Sequence, residues 1–236
     1  MSIETKNPLG EQPVNRLLSQ FAIPSIISML VGSLYNIVDQ FFIGQRVGEL
    51  GNAATNIAFP LSTSCLALAL LIGIGGSSAF NLAMGSGDDK KAVHLLGNAV
   101  VLLAGSGLFL SIITFLFLKP LLLFFGSPKA VLPFAIEYTK VTAFGFPFLL
   151  LGTGGGHLIR ADGRPRMTMV CNLIGAVINT VLDALFVFGL NLGMTGAALA
   201  TVIGQMVSGI MAIICLMHGK TVSIHKEHLF VKWENV

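Results

Sequence analysis

Residues 16–44 read RLLSQFAIPSIISMLVGSLYNIVDQFFIG, with Arg16 at the mouth of the stretch and one further charge, Asp39, near its end. About 20 apolar residues suffice to cross the hydrocarbon core of a bilayer. This stretch is long enough to do so, and it carries a carboxylate that a hydrophobic core helix would not keep without a use. Five more stretches qualify as spans, at roughly 53–84, 93–118, 133–159, 167–189 and 195–217. Lipid-exposed backbone must satisfy its own hydrogen bonds, so all six are predicted to be helices. Glycine, proline and charged residues mark the breaks at 44–51, 85–91, 119–129, 160–166 and 189–196. The fourth span opens on Glu137 and Lys140, which places that end at an interface.

The rest of the composition agrees. Of 236 residues, 54% are hydrophobic and 11% charged, with a mean hydropathy of +0.83. Soluble domains carry roughly 25% charged residues, too many to match this chain. Residues 1–15 form a polar N-terminal segment without the short apolar core and cleavage site of a signal peptide, 16–218 a six-helix transmembrane unit, and 219–236 a polar tail or loop. Of the 14 lysines and arginines, Arg46, Lys119, Lys129 and Lys140 fall on one side and the other ten on the side of the termini. That bias places both termini in the cytoplasm, and the protein is expected to be a multi-pass protein of the inner membrane. Cys65, Cys171 and Cys215 are scattered through apolar segments and suggest no disulfide framework and no metal site.

Asp39 lies about five residues before the outer end of the first span, Asp183 about six before the end of the fifth, and Thr201 about six after the start of the sixth. At 1.5 Å per residue all three fall roughly 8–10 Å below the same interface. Asn179 stands one turn deeper than Asp183 on the same helix face. The first span carries Ser25, Ser28, Gly32, Asn36 and Asp39 at steps of three and four, and the fifth repeats the pattern with Thr168, Asn172, Gly175, Asn179 and Asp183. Each stripe is predicted to face protein or a water-filled cavity. Interhelical hydrogen bonding alone would account for Asn36, Asn172 and Thr168. Two carboxylates brought together cannot both ionise easily, which suits a proton carrier, while the oxygens of Asn179 and Thr201 would suit Na⁺ equally well. Pro24, inside the first span, is a candidate point of helix bending. Gly196, Ala200, Gly204 and Ser208 repeat at steps of four in the sixth span and predict close packing there. The glycine run 152–156 has no evident reason in the sequence. His157 behind it reads as an interfacial histidine or a proton acceptor.

Four stretches together resemble the multidrug and toxic compound extrusion (MATE) transporters: Tyr35-Asn36-Ile37-Val38-Asp39-Gln40-Phe41-Phe42-Ile43-Gly44; Arg160-Ala161-Asp162-Gly163-Arg164-Pro165-Arg166; Asn179-Thr180-Val181-Leu182-Asp183 on to Phe188-Gly189; and Gly193-Met194-Thr195-Gly196-Ala197-Ala198-Leu199-Ala200-Thr201. The resemblance implies an all-α integral membrane protein, a six-transmembrane-helix bundle forming the N-terminal lobe of a two-lobe fold with a pseudo-two-fold axis. It implies a secondary antiporter that expels organic, often cationic, drug-like compounds by alternating access in exchange for H⁺ or Na⁺, with no other cofactor. It assigns Asp39, Asn179, Asp183 and Thr201 to a cation or proton site and helix bending to Pro24, and Tyr35, Asn36 and Asn172 are candidate cavity residues. A second lobe, from the rest of a longer chain or from another copy, is then an expected partner beside the bilayer; a truncated gene product is the further alternative. Competing readings are an exporter of lipid-linked or other small solutes, which calls for arginine or lysine in mid-span, and a non-transporting fragment. A membrane enzyme is not expected, since Asp88-Asp89, the sole acidic pair, runs straight into Lys90-Lys91. Nothing points to nucleic acid.

Overall fold

The computed structural model describes residues 13–219; of the expected N-terminal segment 1–15 and tail 219–236, residues 1–12 and 220–236 lie outside the described residues, and α1 already begins at Val14. The chain runs as α1 (Val14–Arg46), α2 (Glu49–Gly85), α3 (Asp89–Leu116), the short α4 (Leu118–Phe124), α5 (Leu132–Ala161), α6 (Pro165–Asp183), a π turn (Ala184–Gly189) and α7 (Gly193–Met217). Six of these, with α6 continued through the π turn, are long and apolar enough to cross a membrane. The side holding Val14 and Met217 is called the near side below, the opposite one the far side.

The six spans stand where the sequence places them, with shifted edges. The second span begins at Glu49 and the third at Asp89, each four residues before the expected start. Both openings use a polar residue that a hydropathy reading assigns to the loop. Glu49 sits in the first turn, where the helix dipole favours a negative charge. Asp88 caps α3 by accepting a 3.0 Å hydrogen bond from the Lys91 amide, so the acidic pair starts a helix. The third span ends at Leu116 rather than 118. The expected loop 119–129 contains α4, whose Leu122 is fully buried among Ile43, Val131 and Val187 at the far side.

α5 is the centre of the bundle: it packs against α2, α3 and α7, while α6 packs on α7 and α1 packs chiefly on α6. Lipid tails are as apolar as leucine, so burial from lipid gives little cohesion and close packing must supply it. This explains the glycine run. A Cβ on Gly154 would stand 2.4 Å from Leu103 Cδ2, and one on Gly73 2.7 Å from the Gly154 Cα. The bare backbone of α5 lets α2 and α3 approach it together. α6 and α7 meet in the same way, where a Cβ on Gly204 would stand 2.8 Å from the Gly175 carbonyl oxygen.

α1 is the least enclosed span, with Ile26, Met29, Leu30, Leu34, Ile37 and Phe41 all exposed. It runs unbroken through Pro24, and Ser28 Oγ donates a 2.8 Å hydrogen bond back to the Pro24 carbonyl. On the near side the α5–α6 turn is pinned to the end of α7. Arg164 Nε donates to buried Asp162 at 2.7 Å, Nη2 to the Cys215 carbonyl at 2.7 Å and Nη1 to that of His218 at 3.1 Å. All three cysteines are free and buried, and Cys171 Sγ lies 4.0 Å from Cys215 Sγ.

Candidate coupling site and cavity

Asp39 and Asp183 come together at the far end of the α1–α6 contact. Asp39 is 7% exposed and Asp183 fully buried, and the two carboxyl groups lie near enough to influence each other electrostatically. Asn179 stands one turn below Asp183 on α6, and its Nδ2 donates to Thr201 Oγ1 at 3.5 Å. The four residues that the sequence singles out thus form one cluster across α1, α6 and α7. Oδ1 of Asp39, both carboxyl oxygens of Asp183 and Oδ1 of Asn179 are buried without a hydrogen-bond partner among the described residues. Two carboxylates at this depth need a compensating positive charge, either a proton or a bound cation.

Sequence reasoning misses one member. Tyr138, on α5, lies near Asp39, Asp183, Tyr35 and the Thr201 hydroxyl. Its neighbours Glu137 and Lys140 mark the region as interface, but Glu137 does more than reach for water. Its Oε1 accepts from the Thr195 amide at 3.1 Å and from Thr195 Oγ1 at 2.6 Å, which caps the start of α7 and ties it to α5.

Two further ties hold the cluster. Gln40, next to Asp39, donates to Thr55 Oγ1 on α2 at 2.8 Å. Behind Asp183 the helix widens into the π turn, where the Leu190 amide bonds the Leu185 carbonyl at 2.9 Å. Such turns are frequent at functional sites. Arg46, at the end of α1, donates to the Asn191 side chain just beyond it.

Below the acid pair a cavity of about 190 Å³ opens between α1, α5, α6 and α7. Tyr35, Thr153, Asn172, Asn179, Thr201 and Gln205 give it an amide and hydroxyl wall, and no charged side chain lines it. Tyr35 and Asn172 therefore stand where a cavity reading puts them. Asn36 does not: it is exposed, and its Nδ2 donates to its own helix at the Gly32 carbonyl, 2.8 Å away. At that turn of α1 it is Tyr35, not Asn36, that lines the cavity. Among the described residues no group of three or more potential ligands could hold a metal ion.

The sequence profile of the MatE family matches residues 24–185. The chain is 26% identical over 219 residues to the multidrug export protein MepA of Staphylococcus haemolyticus (strain JCSC1435), covering 92% of this chain and 48% of that protein. It is 29% identical over 210 residues to an FAD transporter of Shewanella oneidensis, covering 87% and 46%. A multidrug resistance MATE family transporter of the MOP superfamily, solved in an outward-facing conformation, superposes with a TM-score of 0.84 at 26% identity, over 93% of this chain and 49% of that one. The chain spans about half the length of the relatives it matches. With its six membrane helices and its match across most of the described bundle, the chain belongs to the MatE family.

Proposed function

We propose that this chain is the N-terminal lobe of a secondary multidrug exporter, which expels organic, often cationic, compounds by H⁺ or Na⁺ antiport with alternating access. The observation that carries the reading is the buried pair Asp39 and Asp183, held without a cationic side-chain partner among the described residues. A proton or Na⁺ supplies the missing charge, with Asn179, Thr201 and Tyr138 as neutral oxygen or hydroxyl partners. Loading the pair draws α1 toward α6, flexes α1 near Pro24 and reshapes the cavity wall at Tyr35. The near side faces the cytoplasm and the lobe sits in the inner membrane. A second six-helix lobe, from the rest of a longer chain or from a second copy, supplies the other walls of the drug path. The MepA relative and the outward-facing MATE structure support this reading.

The FAD transporter relative favours a second reading, export of a nucleotide-like or other small solute. A polyanion would call for arginine or lysine on the wall, and the cavity of this lobe has neither.

The test is efflux of a fluorescent cationic dye from proteoliposomes under an imposed pH or Na⁺ gradient. The chain together with a second lobe should transport, and Asp39→Asn or Asp183→Asn should stop it at unchanged protein level. Transport that survives both substitutions would refute the coupling role.

A further inference from the structure

On the near side, α1 and the α5–α6 turn border an open cavity of about 510 Å³ that the coupling mechanism does not use. Ser19, Gln20, Pro24, Arg164, Arg166 and Met167 are among its lining residues, with two guanidinium groups and no carboxylate on the wall. Arg164 is committed to Asp162 and to the last carbonyls of α7. Arg166 is exposed, one residue into the α6 helix, and bonds to no other described side chain. Across the cavity Pro24 supplies no N–H, so the Gln20 carbonyl lacks its helical partner and is left as an acceptor. The wall therefore offers a cation for a phosphate and an acceptor for a hydroxyl. Ile23 and Met167 flank it with exposed apolar surface, as suits the edge of a bilayer.

We propose that this cavity is a headgroup site for an anionic phospholipid of the phosphatidylglycerol kind. Arg166 takes the phosphate, the Gln20 turn meets the glycerol hydroxyls, and the acyl chains run along Ile23 and Met167. Basic pockets between spanning helices bind anionic headgroups by this chemistry. A soluble phosphate has no use for the apolar flanks, which is why a lipid is favoured. The inference rests on the membrane fold and not on the antiport reading. It places the lipid against α1 at Pro24, where an occupant would bear on the shape of that helix.

The test is thermal melting of the purified full chain in detergent, with phosphatidylglycerol, phosphatidylcholine or inorganic phosphate added. Phosphatidylglycerol should raise the melting midpoint more than phosphatidylcholine does. Arg166→Ala should weaken its apparent affinity about five-fold, the effect of one interfacial charge. Gln20→Glu, which adds a negative charge and removes no packing, should abolish the preference. An equal shift with both lipids, or a full shift in both variants, would overturn the site. A shift reproduced by inorganic phosphate alone would overturn the lipid as its occupant.

Discussion

Asp183 has no exposed surface and Asp39 very little, yet neither carboxyl has a cationic partner among the described residues. Their shared depth is readable from the sequence by counting residues from the ends of three spans. The same count would have found Tyr138, which is six residues into α5 and thus about 9 Å below the far interface. It was hidden because Glu137 and Lys140 mark its surroundings as surface. Its hydroxyl is predicted to position the pair: Tyr138→Phe should slow gradient-driven dye efflux while leaving protein level unchanged, and Asn179→Ala should do the same. Asp39→Asn and Asp183→Asn should abolish efflux. If Tyr138→Phe transports like the parent under both gradients, the tyrosine belongs to packing alone.

At the scale of the helix, the glycines of α5 decide the arrangement. A run of small residues is visible in the sequence, but its purpose depends on which helices surround it, and hydropathy does not carry that information. Gly154→Ala would drive a methyl group into Leu103 and toward the Ala69 carbonyl, 3.0 Å away. It is predicted to cost about 1–3 kcal/mol, as overpacking does. Gly75→Ala is the control: nothing stands within 4 Å of its added carbon. Thermal melting in detergent compares the two, and equal midpoints would remove α5 from its central role. Gly204→Ala should push α7 away from the Gly175 carbonyl and loosen Asn179 from Thr201, lowering efflux as well as stability. The short α4 escaped the sequence reading because a seven-residue helix leaves too little pattern to separate it from a loop.

At the scale of the molecule, six spans were legible from length and hydropathy, whereas the fastenings between them were not. Arg164 illustrates this. Its charge is explained by the side of the membrane it stands on, but its geometry shows a clip that closes the end of α7. Arg164→Ala removes the Arg164–Asp162 ion pair and leaves two terminal carbonyls without that donor. It should destabilise the lobe by about 2 kcal/mol, as loss of charge-assisted hydrogen bonds does. The melting midpoint should fall, and a midpoint within error of the parent's would make the clip incidental. Since relatives are about twice this length, efflux is predicted to require a second lobe and to be absent when this chain is reconstituted by itself.

The π turn at Ala184–Gly189 has a consequence for how the chain tolerates changes in length. A π turn is a helix carrying one residue more than its span requires, a spare that deletion can absorb. Removing Leu185 would convert the turn to ordinary helix and leave everything before it in register. Removing one residue earlier in α6, such as Val177, would swing Asn172 and the stripe before it by about 100° relative to Asp183. Two deletions eight residues apart should therefore part company: the first leaves the cavity and the acid pair on one face of the helix, and the second separates them.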